Sequence, residues 1–187
     1  SVTSLMMFVT VDLDVTKAGI DSGNIWMMRE KDMDRLYDDM SAEDILSDEE
    51  FPGLFINCSS MKDPAGFNGR HHTFELITYI KYESVAAFIN ERKERSEKYL
   101  QFKERVAEKF LNSLERLLPG VRNCIVQKNV ATPITNEYYI RSTKGNVYGT
   151  EKTLVQVGPF SYSPKSEIRN LFLCGASTLS HGVSGAL

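Results

Sequence analysis

The stretch Thr73–Tyr82 constrains the fold more than any other part of the chain. Phe74, Leu76, Thr78, Ile80 and Tyr82 occupy one set of alternate positions, and Thr73, Glu75, Ile77, Tyr79 and Lys81 the other. A period of two marks a strand. Bulky apolar groups stand on both sides of it, so a central strand covered on each face is expected. Leu5–Leu13, Ile25–Met28 and Leu54–Cys58 read as further strands, and Asn123–Gln127, Leu154–Val157 and Leu171–Cys174 extend the set.

Between them lie two helical patterns. Met33, Leu36, Tyr37 and Met40 recur at helical spacing inside the acidic stretch 30–50 and predict a short amphipathic helix with a solvated acidic face. Asp32, Asp34 and Asp38 do not make a calcium loop, because Tyr37 stands where such a loop needs glycine. From Ser84 a second helical pattern runs to Leu118 and stops at Pro119-Gly120. One continuous helix of that length would span about 50 Å, against a radius of gyration of about 16 Å for a compact chain of this size. The helix is therefore expected either to break near Glu91–Ser96, in the charged run Glu91–Lys98 with its Glu91–Arg95 and Glu94–Lys98 pairs, or to project past the body. Thr132-Pro133 opens a further short helix.

Strands and helices mix without regular alternation, which predicts an α+β fold with a mixed sheet covered by helices. The expected units are a sheet-and-helix body over residues 1–150 and a C-terminal segment over 151–187. The opening at Ser1 and the close on Gly182–Leu187, a turn just beginning a helix, read as the ends of a piece cut from a longer protein.

Composition narrows the function classes. The balance of 22 Lys+Arg against 25 Asp+Glu, with no basic block, argues against binding to nucleic acid through phosphate neutralisation. The longest apolar runs fall far short of the roughly 20 residues that cross a bilayer. Cys58, Cys124 and Cys174 each sit in an apolar, strand-like run, as buried free thiols do, and no Cys/His spacing suggests a metal site. A reducing, cytoplasmic compartment is expected.

Chemistry concentrates at the C-terminus. The apolar run Leu171–Cys174 ends in Gly175-Ala176-Ser177, followed by His181-Gly182 and Gly185. Glycines let a backbone approach a ligand closely, and a helix start beyond them would aim free N–H groups at it; a plain tight turn has the same pattern. His181 is the best placed of the three histidines, His71 and His72 lying at the start of a strand, and Ser177 and Ser180 lack the GxSxG elbow of a hydrolase. Trp26, Phe55, Phe74, Tyr79, Tyr138, Tyr139 and Tyr148 are candidates to line an apolar cavity, although an aromatic on a strand is more often ordinary core.

Three segments, Ser59–Pro64, Thr132–Asn136 with Gly149 downstream, and Asn170–Ala186, resemble in order the C-terminal half of the phytoene desaturase-like flavoproteins, among which carotenoid isomerases and retinol saturases are nearest. The resemblance implies an FAD-dependent oxidoreductase acting on a polyene isoprenoid by saturation, desaturation or cis–trans isomerisation. It implies NAD(P) as an electron donor and peripheral contact of the parent protein with a membrane. It also implies a two-domain flavoprotein whose N-terminal Rossmann half is missing here, since no GxGxxG occurs. By motif match Gly175, Ala176, Gly182 and Val183 would close over the flavin, and Ala176 replaces the acid that binds the ribityl chain in many related flavoproteins. No catalytic acid or base can be named. The alternative is a non-catalytic module that binds a hydrophobic ligand or a partner protein with the same sheet.

Overall fold

The computed structural model describes residues 3–88, 96–150 and 152–182. Its elements are β1 (Thr3–Val11), β2 (Asn24–Met28), α1 (Met33–Met40), β3 (Gly53–Cys58), α2 (Ser59–Lys62), β4 (His72–Ile80), α3 (Glu97–Leu117), β5 (Ile125–Ala131) and α4 (Pro133–Ile140), joined by loops and short 3₁₀ turns. The strands form one sheet in the order β2-β3-β4-β1-β5.

Every strand pair in that sheet is antiparallel, which corrects the expected mixed sheet. The physical reason lies in the path β4–α3–β5. A helical crossover brings β4 and β5 into the same direction, but β1 inserts between them and runs against both.

One face of the sheet is the core. Leu5, Met7, Val9 and Val11 of β1, Phe74 and Leu76 of β4 and Ile56 of β3 are buried there against Tyr99, Phe102, Val106, Phe110 and Leu114 of α3. These α3 residues recur every three or four positions, so one helix stripe covers one sheet face. Ser96 starts α3 by accepting a hydrogen bond from the Tyr99 N–H, and its backbone is extended (φ −55°, ψ 147°). The expected break is therefore found at Ser96: α3 is 21 residues long, and residues 82–88 form a 3₁₀ turn. The run 91–95, with its expected ion pairs, lies outside the described residues.

The second face is not covered as expected. Its β4 side chains Ile77 and Tyr79 are half-buried, and Trp26 of β2 is 58 % exposed. Among the described residues, α1 caps one end of this face, with Leu36 and Met40 lying over Gly53. Two sequence-predicted strands are absent. Leu154–Gln156 is a 3₁₀ turn with Leu154 90 % exposed, and Leu171–Cys174 makes a single bridge, Phe172 to Lys165, with all four side chains exposed. Both runs have strand composition, but no strand of the described sheet pairs with them, and a strand exists only by pairing. Cys58 is buried as expected, whereas Cys124 is half-buried in a 3₁₀ turn and Cys174 is exposed.

Candidate functional site

The C-terminal glycine turn is held at one end of the second sheet face. Thr3, at the start of β1, donates from Oγ1 to the Gly145 carbonyl (2.7 Å) and bridges to Asn146. That contact fixes the segment following α4, whose own start is locked by a reciprocal Thr132–Thr135 capping box. Asn146 Oδ1 accepts the Gly149 N–H (2.9 Å), which sets the position of Tyr148.

The turn docks on Gly149. A Cβ added there would stand 2.6 Å from the Ala176 carbonyl carbon, so only glycine allows the two backbones to meet. Thr150 Oγ1 donates to the Ser177 carbonyl (3.2 Å), and Lys152 Nζ donates to the Thr178 carbonyl. Within the turn, Thr178 donates from its N–H and its hydroxyl to the Gly175 carbonyl. His181 hydrogen-bonds through Nδ1 to the Tyr148 carbonyl, and the two rings meet edge-on with centroids 5.9 Å apart.

Tyr148 connects this turn to the sheet. Its hydroxyl lies 2.5 Å from that of Tyr79, a residue of β4 on the second face. Partial burial, reinforced by the Tyr148 hydrogen bond, pushes the Tyr79 phenol up to about 12, so it stays protonated at neutral pH. The two rings bound a cleft of ≈ 610 Å³ with Tyr37, Met40, Lys81 and His181.

An apolar row leads away from this cleft across the same face. The register aligns Trp26 with Phe55, Phe55 with Ile77 and Ile77 with Met6 on four adjacent strands. Trp26 packs edge-on against Phe55 (4.9 Å). Four strands at about 4.8 Å spacing make this row about 14 Å long. A polar row runs beside it, in which Asn57 donates to Glu75 (3.1 Å).

Of the sequence-predicted site residues, the structure brings Gly175, Ala176 and Gly182 to this end of the sheet; Val183 lies outside the described residues. Gly175 (φ +119°) and Gly182 (φ +60°) adopt backbone conformations that suit glycine, and a Cβ on either would meet nothing within 4 Å. Four of the seven candidate aromatics, Trp26, Phe55, Tyr79 and Tyr148, gather on the second face. Phe74 is core on the opposite side, and Tyr138 and Tyr139 line a separate cleft beside β5 and α3.

The Ser59–Pro64 segment is not part of this site. Ser60 Oγ bonds His72 Nδ1 (3.0 Å) and accepts the Thr73 N–H, at the other end of β4, about 23 Å from Tyr79 by strand rise. Sequence reading missed Met6. The alternation within β1 was the available signal, hidden because the other side of the strand (Leu5, Met7, Val9) makes the segment look uniformly apolar. Among the described residues, no group of three or more His, Cys, Asp or Glu could hold a metal, and no helix is long and apolar enough to cross a membrane.

No protein-family model matches the chain. It is 30 % identical to the all-trans-retinol 13,14-reductase of Macaca fascicularis over 97 % of its own length and 31 % of that protein, and 26 % identical to the zebrafish (Danio rerio) reductase over 99 % and 32 %. A chloroplastic prolycopene isomerase of an Oncidium hybrid cultivar is 29 % identical over 68 % of this chain and 21 % of that protein. These relatives match the phytoene desaturase-like family, with its retinol saturases and carotenoid isomerases, that the sequence resembles. It spans about a third of the length of the retinol reductases it matches.

Proposed function

We propose that this chain is the substrate-binding and flavin-capping part of an FAD-dependent oxidoreductase or isomerase acting on a polyene isoprenoid, with the Rossmann half of FAD binding supplied by chain outside these residues. The observation that carries the reading is the apolar row Trp26–Phe55–Ile77–Met6, which runs to the tyrosine pair that holds the glycine turn. A linear conjugated chain is flat and apolar, and an open sheet face presents a flat apolar strip of the same kind. The names of the relatives, retinol reductase and prolycopene isomerase, support a polyene ligand.

The backbone of Gly175, Ala176, Gly182 and Val183 would hold the flavin. FAD would supply hydride transfer, while the protein orients the substrate and keeps water away. This chain's own part is then mechanical and electrostatic. The row binds the polyene by excluding water, and the docked turn fixes the flavin-facing backbone relative to it. In this reading residues 1–150 are the substrate body and 151–187 the capping segment. In the same reading Leu154, Phe160, Ile168 and Phe172 of that segment, which are exposed, would face that Rossmann half. The same reading makes the whole protein peripheral to a membrane, where its substrates dissolve. Neither the residues described nor the relatives' names support NAD(P) as the donor.

The test is the full-length protein, purified and assayed with all-trans-retinol and with prolycopene. Visible flavin absorbance together with conversion of at least one polyene is expected. A colourless full-length protein that converts neither would sink the reading.

A further inference from the structure

The sheet has two edges, and they are protected unequally. β5 departs from even register against β1 at Thr10/Val11 and carries Lys128, which pairs with Glu104 of α3. Bulges and lysines of this kind keep an edge from pairing further. β2, the other edge, has neither. Its residues Asn24–Met28 hold an unbroken register with β3 and include no charge and no proline, and Trp26 and Met28 are exposed.

The backbone of β2 is open in a defined pattern. Arg29 donates its N–H to the Pro52 carbonyl (2.8 Å), so position 29 is bonded to the β3 side. Bonded and non-bonded positions alternate along an antiparallel pair. Met27 and Ile25 therefore also face β3, and the N–H and C=O groups of Asn24, Trp26 and Met28 point outwards. Among the described residues none of these outward groups has a hydrogen-bond partner.

This pattern is its own complement. A two-fold axis through Trp26 sets Trp26 opposite Trp26 of a second copy, and Asn24 opposite its Met28. Each outward-facing residue then exchanges backbone hydrogen bonds with the residue opposite. Side chains that face each other across a pair lie on one side of the sheet, so the two Trp26 rings meet on the open face. The charges beyond the strand match in the same register. Asp21 and Lys31, both exposed and without an ion pair among the described residues, fall opposite Lys31 and Asp21 of the second copy.

We propose that β2 is a self-association edge, through which two copies of this chain join their sheets into one continuous antiparallel sheet. The apolar row Met6–Ile77–Phe55–Trp26 then continues into its counterpart across the two-fold axis. A contact made by one short strand falls below the roughly 1,200 Å² of a stable complex, so the dimer is a weak one that dissociates in the micromolar range. The pairing stands apart from the polyene reading and does not depend on it.

The experiment follows the mass of the full-length protein by sedimentation equilibrium across the micromolar range, with thermal melts to establish that each variant is folded. The unaltered protein is expected to pass from monomer to dimer. Trp26→Lys, which puts a charge at the centre of the contact, should weaken the dimer by about thirtyfold or more. Asp21→Lys and Lys31→Asp should each weaken it about tenfold, because each sets like charges opposite one another at two symmetric places. The two reversals combined should restore the dimer, a rescue that a folding defect cannot produce. A protein that stays monomeric at every concentration overturns the proposal; protection of the Trp26 amide from hydrogen exchange in that monomer would assign the edge to a strand from elsewhere in the protein. A dimer indifferent to Trp26→Lys and to both charge reversals forms through another surface and overturns it as well.

Discussion

The two faces of the one sheet differ in what they ask of the sequence. On the covered face, Leu5, Met7, Val9, Val11, Phe74 and Leu76 are buried against α3, and stability depends on filling that space. The other face carries a shorter apolar row, Trp26, Phe55, Ile77 and Met6, of which Trp26 is more than half exposed. Met6, Phe55 and Ile77 are half-buried, and an apolar row left only partly covered in this way is a candidate binding surface. Apolar side chains on both faces of a strand therefore do not by themselves mean burial on both.

Substitutions on each face should separate the two roles. Phe110→Ala, at a fully buried α3 position, is expected to destabilise the protein by about 3–5 kcal/mol, read by denaturant titration. A loss below about 1 kcal/mol would mean that α3 is not the principal cover of the sheet.

Gly182→Val probes the open end. At φ +60° the substitution is strained whatever the space around it, at a cost of about 1–3 kcal/mol, equivalent to roughly a five- to hundredfold weaker site if the strain falls on ligand binding. In the full-length protein, flavin titration should show that loss with a nearly unchanged melting temperature. The opposite pattern, a lowered melt with flavin affinity intact, would reduce Gly182 to a turn residue.

A pH series sharpens the comparison at the tyrosine pair. Tyr79 is raised to about 12 in the folded state by burial and by Tyr148, above the ordinary tyrosine value of about 10. Folding thus favours its protonated form. That contribution is complete below about pH 10 and is lost as pH climbs through 12. Tyr79→Phe should therefore flatten the alkaline fall of the melting temperature across that window, and an identical fall in both proteins would show that the phenol is not held as described.

The smallest effect on stability is expected on the open row. Trp26→Ala should change unfolding free energy by no more than about 0.5 kcal/mol, while weakening polyene binding by removing the outer end of the strip. A stability loss comparable to that of Phe110→Ala would place Trp26 in a core and break the distinction between the faces.

How far these features are legible in sequence varies by residue. The alternation of Thr73–Tyr82 locates β4 to within two residues, and the Tyr99–Leu114 stripe locates α3, because both patterns express which side of a local element is buried. Thr132-Pro133 likewise marks the start of α4. Leu154–Val157 and Leu171–Cys174 carry the same kind of apolar signal and form no strand. Composition gives an inclination to pair, whereas pairing needs an edge at the right distance. In the site, the glycine turn can be found from its small residues, but its neighbours cannot. Tyr79 and Tyr148 are 69 positions apart, and nothing local in either says that their hydroxyls meet.

By itself, then, the sequence determined the α+β class, the main elements on either side of the charged run, the free cysteines and the glycine turn, since each is written in short-range periodicity or in residue chemistry. Tertiary structure alone decided that β1 lies between β4 and β5 and makes every pair antiparallel, and that Ile77 aligns with Phe55 and Met6. It also decided which of two apolar faces α3 would cover. Those choices depend on how distant segments share one core and one set of backbone hydrogen bonds, a balance summed over the whole chain and visible in no single stretch of it.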